Sequence, residues 1–344
     1  MNFKNIYNNL DSFPIDNYHD FFDSIEKSYK DICQRTYQIN TNNCPSIDLK
    51  DLESINLHDC FSIIKNGIKF DCLMTPIPPK PKSLFIIFSG TRNPTDYLPV
   101  FKRWSYYKFI DAIVLNIADP MFLEYKDLSL GWYYGNKDES YIEYLSEIIK
   151  KIQSLLNISN NHIFFFGSSG GGYVALQLSL YFNNTNHIVI NPQILISKYH
   201  YAETFSKITG IDLNAKDIYK RNETDEIIAE KIAKNLNKYV IVQNLTDEHD
   251  CTSHFFPMLR KIDIDRLHLG LNCFNSIYIW LYSCLGGHNS QGDEFIFSYI
   301  LYIAEKISGN EKVSDFDNFL FKNLSILWRE IEWFKHISKE NYNH

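Results

Sequence analysis

An apolar run, a glycine-rich turn and a helical pattern follow one another within residues 162–176, and this order constrains the fold more than any other feature. His162 to Phe166 read as a buried strand, and Gly167 to Gly171 form a GxSxG turn. A strand that reverses at once into a helix strains its turn residue, and flanking glycines leave room for that residue. We therefore predict that Ser169 is a nucleophile and that the Gly170 amide, in the first helical turn, stabilises an oxyanion.

Two later segments provide the other groups that a serine nucleophile needs. Tyr239 to Asn244 read as a buried strand and lead into Asp247 and Asp250, while Ser276 to Tyr282 form a strand that is followed by two glycines and His288. The chain order is nucleophile, acid, histidine, and each group lies just beyond a strand, where a mostly parallel sheet presents its catalytic loops. His288 is the predicted general base, on a glycine-containing loop that can reach over the serine.

Either of two carboxylates can orient the imidazole. Asp247, three residues past the strand end at Asn244, is the predicted acid. Asp250 is the alternative, and it is otherwise interpreted as a helix cap before the following segment. The neighbouring His249 and His254 are interpreted as exposed surface histidines, the alternative being contact with substrate.

With these three motifs placed, roughly residues 60–310 resemble the α/β-hydrolase superfamily. The resemblance implies a mostly parallel, doubly wound sheet, which agrees with the alternation of apolar strands and the helical spacing over Tyr141 to Leu156. It also implies a second oxyanion amide in the loop after the strand Leu84 to Phe88. Thr91 is the candidate for that amide, and Arg92 is the alternative.

The same resemblance divides the chain into regions. We predict an N-terminal helical addition over residues 1–58 and a hydrolase core over 59–310, with a helical cap inserted at about 194–236. A C-terminal helical addition follows over 311–344, and its apolar face is interpreted as intramolecular core or, alternatively, as a homodimer contact.

Two clusters are candidate substrate-binding residues. Trp132 and Tyr133 lie between glycines before a helix, where aromatic rings can stack on a sugar, the alternative being core filling. Arg92 and Arg103, with Lys102, follow the oxyanion strand and can hold the phosphate groups of a coenzyme or an anionic acceptor, the alternative being solvated surface charge.

Within the superfamily, four segments are similar to α/β-hydrolase-like proteins associated with bacterial capsule and surface-polysaccharide synthesis: Asp119-Pro120, Gly131–Gly135, Gly167–Gly172 and Asn191–Gln193. This resemblance implies an O-acetyltransferase that carries acetyl from acetyl-CoA, through an acetyl-serine, to a hydroxyl of a polysaccharide or glycan acceptor. The alternatives are a carboxylesterase or polysaccharide deacetylase with the same triad, and a non-catalytic scaffold. The presence of serine, acid and histidine argues against the scaffold.

Composition restricts partners and compartment. A formal charge of −7 without a basic cluster gives no sign of nucleic-acid binding. No apolar run approaches the roughly 20 residues of a membrane helix, and the N-terminus lacks the apolar core of a signal peptide, so we expect a soluble, cytoplasmic protein. The seven cysteines are odd in number and lack a CxxC pair, which favours reduced thiols over a disulfide framework or a zinc site and indicates neither a metal nor a redox role. We expect no permanently bound cofactor.

Overall fold

The computed structural model describes residues 44–53, 57–213, 232, 237–284, 287–289, 294–315 and 317–325. In this part of the chain one ten-stranded sheet has the order β1-β2-β3-β5-β4-β6-β7-β8-β10-β9. Its strands are β1 (Ser46–Asp48), β2 (Asp59–Lys65), β3 (Ile68–Met74), β4 (Leu84–Phe88), β5 (Ile113–Ile117), β6 (Ile163–Ser168), β7 (Asn186–Ile190), β8 (Lys238–Asn244), β9 (Gly270–Phe274) and β10 (Ile277–Tyr282).

The pairings from β5 through β4, β6, β7 and β8 to β10 are parallel. Antiparallel pairs join β2 to β3, β3 to β5 and β10 to β9. Helices in the described part of the chain include α1 (Met121–Glu124), α2 (Tyr141–Leu156), α3 (Gly170–Gln177), α4 (Ala202–Thr209), α5 (Glu248–Asp250), α6 (Phe256–Lys261) and α7 (Glu294–Ser308). The mostly parallel, doubly wound α/β sheet that the sequence predicts is therefore confirmed.

The central strands are buried on both faces, which explains their continuous apolar sequences. Along β4, Leu84, Ile86 and Phe88 face a core that includes side chains of α2 and α3. Phe85 and Ile87 face the opposite core, which includes side chains of α7 and of residues 317–325. Because successive strand residues point to opposite faces, a five-residue apolar strand builds both cores.

Several elements match the sequence pattern closely. The turn Asn66-Gly67, with φ of 50° and 82°, joins β2 and β3 as the hairpin signal predicts. Helix α2 has the predicted bounds, and the Ser140 side chain accepts the Glu143 amide at its N-terminus. The short edge strands β1 and β9 have no comparable pattern and are not predicted.

The expectation that the cysteines are reduced thiols is wrong for one pair, since Cys44 and Cys60 form a disulfide with a Cα–Cα distance of 4.9 Å. The cause is the sheet register. Strand β1 runs parallel to β2 with Ser46 opposite Ser62, so the positions two residues earlier also lie side by side. Spacing along the chain does not reveal this neighbourhood.

The predicted additions are covered in part. Of the N-terminal region, residues 44–53 and 57–58 are described, and β1 there extends the core sheet; the rest of that predicted helical addition lies outside the described residues. About half of the predicted cap does too, although α4 supplies helical structure after β7. At the C-terminus, Leu320, Phe321 and Leu324 are buried in the core. Within the described ranges, no helix is both long and apolar enough to cross a membrane.

Candidate active site

The turn between β6 and α3 places Ser169 in a strained backbone conformation, with φ of 54° and ψ of −123°. The glycines around it are required by close backbone contact: a Cβ on Gly167 would lie 2.2 Å from the carbonyl carbon of Gly171, and a Cβ on Gly171 would lie 2.5 Å from the Phe88 oxygen. The chain therefore turns from strand to helix directly against the end of β4, and the serine side chain is presented at the carboxyl edge of the sheet.

This contact gives a prediction on stability. Gly167→Ala should lower the free energy of unfolding by about 1–3 kcal/mol or more, because the new methyl group would clash with backbone atoms that can move only if the whole turn shifts. Thermal unfolding measures the change. Gly309→Ala is the control, since its Cβ would meet no atom closer than 3.5 Å. Equal unfolding midpoints for the two variants would contradict the close turn.

The histidine loop is held by a buried asparagine at the end of β8. The Asn244 side chain donates to the carbonyl oxygens of Cys284 and Gly287, both at 2.9 Å, and accepts the Cys284 amide at 2.9 Å. Its own amide donates to Oδ1 of Asn191 at 2.8 Å, at the end of β7. The ends of neighbouring strands are thus cross-linked, and this network positions His288, which follows directly.

Ser169, His288 and both candidate acids lie together. The Oγ atom of Ser169 is 2.8 Å from Nε2 of His288. On the other side of the ring, Nδ1 lies 2.9 Å from Oδ2 of Asp247 and 2.6 Å from Oδ2 of Asp250. The hydroxyl can therefore give its proton to an imidazole that two carboxylates orient.

The carboxylates differ in their surroundings. Oδ1 of Asp247 accepts the Asp250 amide at 3.1 Å, so it is Asp247 and not Asp250 that caps α5, opposite to the helix-cap interpretation of Asp250. Burial raises the pKa of Asp250, whereas for Asp247 the hydrogen bonds from His288 and the Asp250 amide outweigh burial and lower the pKa. Burial lowers the pKa of His288, but the hydrogen bonds and charges of the two carboxylates outweigh burial and raise the pKa to about 9.

The predicted oxyanion amides lie in two facing segments. Gly170 is buried and begins α3, and a Cβ on Gly90, in the loop after β4, would lie 3.8 Å from the Gly170 nitrogen. The loop carrying Thr91 thus packs against the serine turn, and the Thr91 amide as second oxyanion donor remains a prediction. The alternative, the Arg92 amide, is excluded because it donates to the Ser129 oxygen at 2.8 Å.

The prediction that Arg92 binds phosphate is wrong. Its side chain is buried, its guanidinium donates to the carbonyl oxygens of Asn93, Pro94 and Lys126, and it lies 4.8 Å from the centre of the Phe122 ring. These partners fix the loop after β4, and both terminal nitrogens of the guanidinium donate to backbone carbonyls within the protein. Arg103 lies partly buried against Tyr106 and Phe166, and its role in substrate binding remains a prediction.

The predicted sugar platform is also wrong, because Trp132 and Tyr133 are buried with 1% and 0% exposure. The Tyr133 amide donates to Oδ2 of the buried Asp119 at 3.1 Å, and the hydroxyl donates to the Ile117 oxygen. Core filling, the alternative interpretation, describes Tyr133. Trp132 packs beside the serine turn, where a Cβ on Gly170 would lie 3.4 Å from its Nε1.

Sequence reasoning missed Gln193 and Tyr199 as neighbours of the serine. Nε2 of Gln193 donates to Ser169 Oγ at 3.0 Å. The Tyr199 hydroxyl faces Ser169 and Gln193; burial raises its pKa to about 12, although hydrogen bonds with those two residues lower it. Gln193 stood in a quoted motif directly after a strand, which is the signal that could have found it; Tyr199 carries no such signal.

The nearby histidines are not the surface residues that the sequence suggested. His254 is fully buried and His249 is partly buried; with Asp250 they place three potential metal-ligand atoms within 4.8 Å of one another. Nδ1 of His254 accepts the Leu195 amide at 3.2 Å, however. A neutral imidazole that accepts at Nδ1 carries its proton on Nε2, so the atom facing Asp250 is a donor and not a metal ligand.

Comparisons with known proteins concern the fold. The protein is similar to the capsule O-acetyltransferase of Neisseria meningitidis serogroup A, at 22% identity over 72% of this chain and 94% of that one, with a TM-score of 0.49. It is also similar to a chain of the glycosylation-associated Gap123 complex of Streptococcus agalactiae, at 18% identity over 75% and 47% of the chains (TM-score 0.51). A third similar structure is the acylaminoacyl peptidase of Pyrococcus horikoshii, at 12% identity over 74% and 42% (TM-score 0.50).

No protein-family model and no curated protein sequence matches the chain. The chain spans less than half of the Gap123 and peptidase chains. Together with the strand order and the serine turn, these likenesses establish that the protein has an α/β-hydrolase fold.

Proposed function

We propose that the protein is a serine-dependent acyltransferase that moves acetyl from acetyl-CoA to a hydroxyl of a bacterial capsular or surface polysaccharide. The observation that carries the proposal is the line of hydrogen bonds from Ser169 through His288 to Asp247, at 2.8 and 2.9 Å. A strained turn, a base and an ionised carboxylate in this order have the geometry of a nucleophilic triad.

In the proposed first half-reaction, the Ser169 proton passes to Nε2 of His288 while the oxygen electron pair forms a bond to the acetyl carbon. The carbonyl oxygen becomes an oxyanion beside the Gly170 amide, with Thr91 as the proposed second donor. When the carbon–sulfur bond breaks, CoA leaves with the proton from His288. In the second half-reaction the imidazole takes the proton of the acceptor hydroxyl, whose oxygen attacks the acetyl carbon. The bond between that carbon and Ser169 Oγ then breaks, and His288 returns the proton to the serine oxygen.

The four segments that resemble polysaccharide O-acetyltransferases lie together, which supports the transferase proposal. Asp119 accepts the Tyr133 amide, the Trp132 indole donates to Gln193, and Gln193 donates to Ser169. A Cβ on Gly172 would lie 3.0 Å from Cβ of Pro192. Segments far apart in sequence thus converge on the serine, as residues of one site would. Acetyl-CoA as donor agrees with the proposed cytoplasmic location.

Mass spectrometry of the intact protein after incubation with acetyl-CoA tests the proposal. We expect one acetyl group on Ser169, and its loss when a panel of bacterial glycans is added, with acetyl recovered on a glycan hydroxyl. Rapid hydrolysis of simple acetyl esters, with no adduct from acetyl-CoA and no stimulation by any glycan, would favour an esterase or deacetylase.

The two carboxylates should differ in their effect on activity. We expect Asp247→Asn to lower kcat by about 10⁴-fold, as expected when the triad acid no longer holds the histidine tautomer, because Asp247 is the ionised partner. Asp250→Asn should cost far less. Steady-state kinetics with p-nitrophenyl acetate measures both variants. A greater loss for Asp250→Asn would assign the role of triad acid to Asp250.

The pH dependence of kcat/KM should report the raised pKa of His288. Only the neutral imidazole accepts the serine proton, so kcat/KM should increase with pH up to about 9 and level off above it. Asp250→Asn removes a negative charge that raises this pKa, so kcat/KM should level off at a lower pH in this variant. If kcat/KM of Asp250→Asn levels off at the same pH as the wild type, the titrating group is not His288.

A further inference from the structure

Gln193 bridges the serine and a buried tryptophan. The side chain is fully buried. Its Nε2 lies 3.0 Å from Oγ of Ser169 and its Oε1 lies 2.5 Å from Nε1 of Trp132. The backbone N–H of Gln193 also donates to the backbone carbonyl oxygen of Ser169 at 3.3 Å. The residue therefore contacts the reacting atom and is held at both ends.

The chemistry of the indole fixes which way the amide points. The indole N–H is a donor only, so it must face the oxygen of Gln193 and leave the NH₂ group facing the serine. The ring itself is confined, with centroid distances of 5.2 Å to Phe205 and 6.2 Å to Tyr199 and Tyr201. Its loop is anchored where the Tyr133 amide meets Asp119.

We propose that Gln193 is a further catalytic residue that donates to Ser169 Oγ, and that Trp132 is the positioning residue that orients it. The serine oxygen accepts from Gln193, so its own proton is directed to Nε2 of His288 at 2.8 Å. As that proton leaves, negative charge develops on the oxygen, and a hydrogen bond from the amide becomes stronger. The oxygen electron pair then forms the bond to the acyl carbon while the donor remains in place.

This inference rests on the serine nucleophile of the proposed function and not on the identity of the acyl donor or acceptor. The experiment therefore measures the reaction of Ser169 with a fluorophosphonate probe, in which the oxygen–phosphorus bond forms, fluoride leaves and the serine proton passes to His288. Wild-type labelling reports the nucleophile by itself. If labelling occurs but acetyl-CoA gives no adduct, the transferase proposal fails and this inference stands.

We expect Gln193→Met, which keeps the length but removes the donor, to lower the second-order labelling rate by about 10²-fold, the order of loss seen when one preorganised donor is removed. Gln193→Glu, which presents an acceptor, should lower it at least as much. Gln153→Met is the matched control, because the Gln153 amide bonds Ile158 and Asn160 instead. Circular dichroism and thermal unfolding identify the folded variants that are compared.

Trp132→Phe keeps a ring but removes the indole donor, so it should slow labelling by about 10-fold without changing the pH at which labelling levels off. Combined with Gln193→Met it should add nothing, because a positioning residue acts only through its partner. A folded Gln193→Met protein that labels at the wild-type rate would overturn the inference for Gln193. Additive losses in the double variant would overturn the role of Trp132, and a large loss in Tyr199→Phe with none in Gln193→Met would assign the donor to Tyr199.

Discussion

Ser169→Ala should reduce acyl transfer by at least about 10⁴-fold and leave the fold intact, because the nucleophile is lost while the surrounding amides remain. The substitution removes one buried oxygen from a residue that is 5% exposed. Gln193 loses the acceptor of its hydrogen bond, and His288 loses the hydroxyl that donates to it. Acetylation by acetyl-CoA and hydrolysis of p-nitrophenyl acetate should both fall to background.

Ser168→Ala is the matched control for that prediction. Ser168 is adjacent in the chain, is 4% exposed and is the last residue of β6, so it tests the loss of a buried hydroxyl without the nucleophile. Its activity should remain within a few-fold of wild type. Near wild-type turnover by a folded Ser169→Ala protein would refute the triad assignment.

His288→Ala should lower turnover by at least about 10⁴-fold and make any acetyl-serine that forms long-lived, because the imidazole serves both half-reactions. It takes the serine proton first and the acceptor proton second. Mass spectrometry over time should show the acetyl group persisting on the variant after glycan is added, whereas the wild-type adduct disappears.

The control for this second prediction is His162→Ala, at an exposed position before β6. It should turn over normally. If His288→Ala releases its acetyl group to glycan as fast as the wild type, another group activates the acceptor, and the role of His288 in the second half-reaction is wrong.

The central fold was predictable because its signals are local. The central parallel strands β4 to β7 are buried on both faces and therefore read as continuous apolar runs, and Gly167 and Gly171 mark a turn that only residues without a side chain allow. The edge strands β1 and β9 were missed because an edge position needs no such pattern, and the Cys44–Cys60 pair was misjudged because it depends on strand register.

Part of the candidate site was likewise predictable from local sequence, and part of it was not. Ser169, Asp247 and His288 were named from their places after strands, since the ends of parallel strands meet at one edge of the sheet. Asp250 was weighed beside Asp247, and the spacing predicted neither that both would contact Nδ1 of His288 nor which would cap the helix.

By itself, then, the sequence determined the α/β architecture, the order of the strands along the chain and the segments that carry serine, acid and histidine. Only the tertiary structure decided which polar side chains form hydrogen bonds within the protein and which remain available to a substrate. Arg92 is surrounded by backbone carbonyls, Tyr133 is buried in the core, and the buried Trp132 donates its indole hydrogen bond to Gln193. The physical reason is that local pattern reports which face of an element is apolar, whereas the partner of a buried donor or acceptor is set by residues that packing brings from distant parts of the chain.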